Sequence, residues 1–122
     1  MKQRILIVDD EAPIRDLLSA YFRKHSYDVL SAETAAEALR IVNDEPLNLV
    51  ILDVLLADTD GLETMATIKQ SHPNLPVIIM TGIGFDEELL REAMQKGASG
   101  YVSKTLPLDQ LLMEVHRTLN YK

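Results

Sequence analysis

The sequence predicts an α/β fold, a doubly wound parallel sheet with helices on both faces, and three observations carry that prediction. Short continuous apolar runs alternate strictly with segments of helical spacing. The runs lack the polar alternation of half-exposed strands, as expected where both faces are buried. The chain has 122 residues, 47% hydrophobic and 25% charged, so residues 1–122 suit one domain whose core needs no staples.

Residues 5–8 form the first apolar run. The first helix follows as Ile14, Leu17, Leu18, Tyr21 and Phe22, with Pro13 suited to its first turn. Val29-Leu30 marks a short second strand. Ala35, Ala38, Leu39 and Val42 mark the second helix, with Thr34 as N-cap, Glu37 completing a capping box and Pro46 closing it. Residues 49–52 give the third strand. Leu62, Met65, Ala66 and Ile68 give the third helix, opened after Asp60-Gly61 and closed by His72-Pro73. Residues 77–80 are the fourth strand. Leu89, Leu90, Ala93 and Met94 follow as the fourth helix, with Asp86-Glu87-Glu88 near its start and Lys96-Gly97 at its end. Tyr101-Val102 is the fifth strand; Leu108, Leu111, Leu112, Val115 and Leu119, opened by Pro107, are the fifth helix.

Composition excludes several classes of function. Twelve basic against nineteen acidic residues leave a net charge of −7 and no basic stripe, which argues against nucleic acid as a partner. The absence of cysteine excludes disulfides, thiolate metal sites and cysteine nucleophiles. The apolar runs fall far short of the ~20 residues of a membrane span. The first of them ends at Asp9-Asp10-Glu11, too short and too soon acidic for a signal peptide. A cytoplasmic protein with no membrane contact is expected.

In an open parallel sheet, ligands sit beyond the carboxyl ends of the strands. There the chain places Asp9, Asp10 and Glu11, then Asp53, Thr81 and Lys104. Any one of them alone reads as an ordinary strand-end or capping residue. Together they are harder to dismiss. Carboxylates 4 Å apart repel by ~4 kcal/mol at an effective dielectric near 20, so they take up protons or bind a cation. With oxygen donors only, the suited cation is hard, Mg²⁺ with Mn²⁺ as the alternative. A cation, a hydroxyl and an ammonium together form a receptor for a phosphoryl group.

At Asp9-Asp10, at Asp53 with Gly61 eight positions on, at Thr81-Gly82 and along Gly97-Ala98-Ser99-Gly100-Tyr101-Val102-Ser103-Lys104, the chain resembles the receiver domain of two-component response regulators. The likeness spans nearly the whole sequence. It implies a flavodoxin-like sheet of order 2-1-3-4-5 flanked by five helices. It implies that Asp53 accepts a phosphoryl group from a sensor histidine kinase or phosphotransfer protein. Asp10, Asp53 and the backbone carbonyl of Leu55 would bind Mg²⁺ directly, with Asp9 acting through metal-bound water. Thr81 and Lys104 would hold phosphoryl oxygens, and Tyr101 would be the aromatic that turns inward as Thr81 moves. Output to an attached domain or a downstream protein would run through the fourth helix, fifth strand and fifth helix. Such a domain is a signalling element that assists its own phosphorylation and dephosphorylation, not an enzyme with a separate substrate. The residues name neither kinase nor output, and leave open a homodimer and whether the chain stands alone.

Two positions depart from the family pattern: Ala57 and Thr105 stand where proline is frequent. Leu55 and Ile83, two residues beyond Asp53 and Thr81, are apolar, so a slow loss of the phosphoryl group is expected. Rival readings fail on particular residues. A metal-dependent phosphohydrolase would place a carboxylate at Leu55. A pure interaction module with a relic pocket would have lost Asp53, Thr81 or Lys104. The stretch Thr81-Gly82-Ile83-Gly84 lacks the third glycine of a dinucleotide loop, where Glu87 stands. Counting back from Gly61 in Asp58-Thr59-Asp60-Gly61 puts Leu56 at a calcium loop's first ligand position. His25, His72 and His116 are too scattered for a metal cluster.

Overall fold

The computed structural model describes residues 2–56, 58–82 and 86–120, so Ala57, Ile83 and Gly84 lie outside the described residues. Strands β1 (Arg4–Val8), β2 (Asp28–Ala32), β3 (Leu49–Asp53), β4 (Val77–Thr81) and β5 (Gly100–Ser103) alternate with helices α1 (Ala12–Lys24), α2 (Ala35–Asp44), α3 (Gly61–Ser71), α4 (Glu87–Gln95) and α5 (Leu108–Asn120). The sheet order is β2-β1-β3-β4-β5, and every neighbouring pair is parallel. The fold class read from the alternation and the order implied by the resemblance both hold.

Alternate residues of the central strands feed two cores. Leu6, Val8, Val50, Leu52 and Ile79 pack with Ala38, Val42, Met65, Ile68 and Ala93 from α2, α3 and α4. Ile5, Ile7, Ile51, Ile78 and Met80 pack with Leu18, Phe22, Leu111 and Val115 from α1 and α5. Burial on both faces is why these strands carry no polar alternation.

The ladder runs further than the apolar runs. Asp53 pairs with Met80 and Thr81 with Ser103, so both polar residues are the last members of their strands rather than loop residues. Backbone pairing does not depend on side-chain polarity, and it fixes these two residues at the sheet's edge.

The caps follow the expected chemistry, except that Glu37 reaches the N–H of Glu33, one residue before the cap, rather than that of Thr34. Thr34 Oγ1 accepts from the Glu37 N–H at 3.2 Å, while the Glu37 carboxylate accepts from the Glu33 N–H at 2.9 Å. Asp60 accepts from the Leu62 N–H, and Asp86 from those of Glu88 and Leu89. At the end of α1 the Phe22 carbonyl accepts from both His25 and Tyr27, which turns Ser26 to a φ of +73°. A side chain in this left-handed region is strained. Ser26→Gly is therefore expected to stabilise the fold by about 0.5–1 kcal/mol after its greater unfolded-state entropy is discounted. Urea denaturation would show it; a destabilised variant would mean that the Ser26 side chain makes a compensating contact. Among the described residues, no helix is long and apolar enough to cross a membrane.

Candidate functional site

The parallel order sets the carboxyl ends of β1, β3, β4 and β5 side by side, and Asp9, Asp10, Asp53 and Lys104 come together there. Asp9, Asp10 and Asp53 each offer an oxygen, all within 4.8 Å of one another. Asp9 is fully buried and Asp53 is 3% exposed, while Asp10 lies at the surface. Asp9 is held at both ends. Its N–H donates to the Ala32 carbonyl, its own carbonyl accepts from the Arg15 guanidinium at 2.7 Å, and its Oδ1 accepts from the Glu11 N–H at 2.9 Å. Its Oδ2 is buried and receives no aligned hydrogen bond from the described residues. The Lys104 ammonium at 3.0 Å is its ion-pair partner.

Lys104 is shared among three acids. Besides Asp9, its Nζ lies 2.8 Å from Asp53 Oδ2 and 2.7 Å from Glu11 Oε1. Burial pulls its pKa down, but its contacts with the Asp53, Glu11 and Asp9 carboxylates outweigh that and hold it above the usual lysine range. Burial pushes the Asp53 carboxyl up, an effect only partly offset by Lys104 and by the Leu55 N–H on Oδ1 at 3.2 Å. The negative charge of Asp9 adds to the rise. The ammonium thus stays charged, whereas Asp53 carries an unfavourable charge that a cation or a covalent partner would relieve.

Glu11, the third acid after the first strand, has a role that sequence alone does not show: it is one of the carboxylates on Lys104. Its place directly after Asp9-Asp10 was the available signal. Thr105, in the place where proline is frequent, is accommodated by a local turn. Its N–H donates to Ser103 Oγ at 3.1 Å, the two hydroxyls lie 2.8 Å apart, and the Leu106 N–H donates to the Ser103 carbonyl. No peptide bond among the described residues is cis. The Lys104 N–H donates to the Thr81 carbonyl at 2.7 Å, which ties the turn to β4.

Thr81 is fully buried at the end of β4. Tyr101 is half-buried beside the α4-side core, with its hydroxyl buried and without a hydrogen-bond partner among the described residues. Leu55 is 63% exposed and pairs with Asp60 in an isolated antiparallel bridge. That bridge closes the loop after β3, and Gly61 completes the closure by donating its N–H to the Val54 carbonyl at 2.8 Å. A Cβ on Gly61 would lie 2.1 Å from the Asp53 carbonyl oxygen and 2.8 Å from Val54 Cα. The eight-residue spacing from Asp53 to Gly61 is therefore a close approach of two backbones.

The donor set is wholly oxygen, and one buried carboxylate oxygen has no aligned hydrogen bond from the described residues. Both suit a hard divalent cation, held by Asp9, Asp10 and Asp53. A cation there, with Lys104 and Thr81 alongside, would present positive charge and donors to an anionic group approaching Asp53.

The sequence model of the response regulator receiver domain matches residues 5–116. The chain is 35% identical over 122 residues to sporulation initiation phosphotransferase F of Bacillus subtilis, covering 100% of this chain and 98% of the relative. It is 35% identical over 115 residues to a putative NtrX-like response regulator of Rickettsia typhi, covering 93% of this chain but 24% of that longer protein. Among solved structures, a CheY-like receiver domain protein of Methanospirillum hungatei superposes with a TM-score of 0.94 at 30% identity, covering 98% of this chain and 95% of the other.

Proposed function

The chain belongs to the response regulator receiver domain family, and on that premise we propose that Asp53 is its phosphoacceptor and that residues 1–122 form one receiver domain. The observation that carries this is the meeting of Asp9, Asp10 and Asp53 within 4.8 Å, with the Lys104 ammonium 2.8 Å from Asp53. An Asp53 carboxylate oxygen attacks the phosphorus of a phosphohistidine on a sensor kinase or phosphotransfer protein. The new O–P bond forms as the P–N bond breaks, and the imidazole leaves with the bond's electron pair. Burial on β3 holds the nucleophile in place for an in-line approach. Lys104 turns from its carboxylate partners to a phosphoryl oxygen, and the Thr81 hydroxyl donates to another. Asp10, Asp53 and the Leu55 carbonyl, with Asp9 through a water, would hold Mg²⁺, which would neutralise phosphoryl charge there. The drawing-in of Thr81 gives the Tyr101 side chain a reason to move, which carries the change to the α4–β5–α5 face and an output partner.

Incubated with phosphoramidate and Mg²⁺, the protein is expected to gain one phosphoryl group by intact mass, with chelation slowing the gain by ~10²-fold or more. No gain in the presence of metal would contradict the assignment. Asp10→Asn, the loss of a direct ligand, is expected to weaken Mg²⁺ binding by at least the ~10–100-fold typical of losing a ligand's hydrogen-bonding partner. It should also stabilise the metal-free protein by about 1 kcal/mol, the repulsion of like charges ~5 Å apart in a water-like medium. Calorimetric Mg²⁺ titration and urea denaturation check the two effects; an unchanged affinity would remove Asp10 from the metal's ligands.

A further inference from the structure

The loop after β3 is fastened at its base by the Leu55–Asp60 bridge and the Gly61 N–H, but its outer part reaches across to another element. Asp58, on the exposed part of that loop, accepts from the Ala35 N–H at 3.0 Å through Oδ1 and from the Ala36 N–H at 3.3 Å through Oδ2. These are the first two residues of α2, more than twenty positions away in the chain. The helix's own capping residue leaves them to Asp58, because Thr34 takes the next N–H, that of Glu37. A carboxylate facing two unpaired helical N–H groups is favoured by hydrogen bonding and by the helix dipole alike. Accordingly, the Ala35 N–H holds the Asp58 carboxyl below the usual range against the opposing effect of burial. The contact is two-pronged, so it restrains the loop in direction as well as distance.

We propose that Asp58 is a positioning residue that ties the loop carrying Asp53 and Leu55 to the N-terminus of α2 and thereby sets the geometry of the metal site. This rests on the reading of Asp10, Asp53 and the Leu55 carbonyl as metal ligands, with Asp9 beside them. Asp58 lies three positions beyond Leu55, whose N–H is already on Asp53 Oδ1, and the half-buried Leu56 packs against the same core as Ala38 and Val42 of α2. Release of the outer loop therefore acts on Leu55 first. The same tie makes α2 sensitive to the state of the site, because any shift of the loop is felt at the amides of Ala35 and Ala36.

The test compares Asp58→Ala with Thr34→Ala, which removes a cap from the same helix end without touching the loop's anchor. Asp58→Ala is expected to weaken Mg²⁺ binding by ~3–10-fold, less than the ~10–100-fold typical of a direct ligand's hydrogen-bonding partner. In the metal-free protein it should shift the amide resonances of Leu55 and Leu56. Asp58→Asn, which keeps an acceptor oxygen, should fall between parent and Asp58→Ala. Thr34→Ala should lower the urea midpoint of the fold yet bind Mg²⁺ as the parent does. Parental Mg²⁺ affinity in Asp58→Ala, or equal weakening in Thr34→Ala, would overturn the proposal while leaving the metal site standing. A parent that binds no Mg²⁺ would overturn the metal site and this inference together.

Discussion

Lys104→Met is expected to slow phosphorylation of the domain by about 10²- to 10³-fold, the usual cost of removing a preorganised group that stabilises charge in the transition state. Methionine keeps the length and the apolar stem but removes the ammonium that meets Asp9, Glu11 and Asp53. Stability should change with a definite pH dependence. Burial already raises the Asp53 carboxyl, and Lys104 is the largest of the effects that lower it, so the variant's folded-state pKa rises further. A carboxyl raised in the folded state binds more protons folded than unfolded, so stability falls as pH rises through the window between the two values. The deficit against the parent should be small near pH 4 and reach about 3 kcal/mol near pH 7, the low end for breaking a buried pair. Urea denaturation at the two pH values and phosphoramidate kinetics measure both effects. A deficit independent of pH, or a parental rate, would show that Lys104 does not act through Asp53.

Gly61→Ala should produce the second large effect. The obstacle is backbone, with a Cβ placed 2.1 Å from the Asp53 carbonyl oxygen, so no side-chain rotation relieves it. Either α3 retreats and loses the Gly61–Val54 hydrogen bond, or the end of β3 shifts. A loss of about 2–3 kcal/mol is expected, as for insertion of a methyl group into a filled site. Displacing the Asp53 main chain by ~1 Å should also cost roughly 10²-fold in phosphorylation rate. A crystal structure with Asp53 unmoved and a parental melting temperature would show that the close approach is dispensable.

The elements were legible because the chemistry that sets them is local. Burial on both faces writes continuous apolar runs, and Thr34, Asp60 and Asp86 each announce a helix start by their type and by the residues they cap. Periodicity ended β3 and β4 one residue early, since a ladder ignores the polarity that closes an apolar run. The sheet order was not in the periodicity at all; it came from the likeness of motifs to a family. The meeting of the acids with Lys104 was legible from their positions at strand ends, because the topology alone makes those ends meet. The partners were not. That Lys104 divides itself among Asp9, Glu11 and Asp53, that Asp58 caps a helix more than twenty residues away, and that Ser103 builds the turn at Thr105 are facts of three-dimensional distance. Ser26 in a left-handed conformation is likewise silent in sequence, where glycine would have signalled it.

That Asp53 is the acceptor is tested most directly by locating the phosphoryl group. After phosphoramidate and Mg²⁺, borohydride reduction converts an aspartyl phosphate to homoserine, and peptide mass spectrometry identifies the converted residue. The homoserine should appear at position 53 and nowhere else, and Asp53→Asn should yield none. Conversion at Asp9 or Asp10 instead, or an Asp53→Asn variant that gains phosphate as readily as the parent, would contradict the assignment.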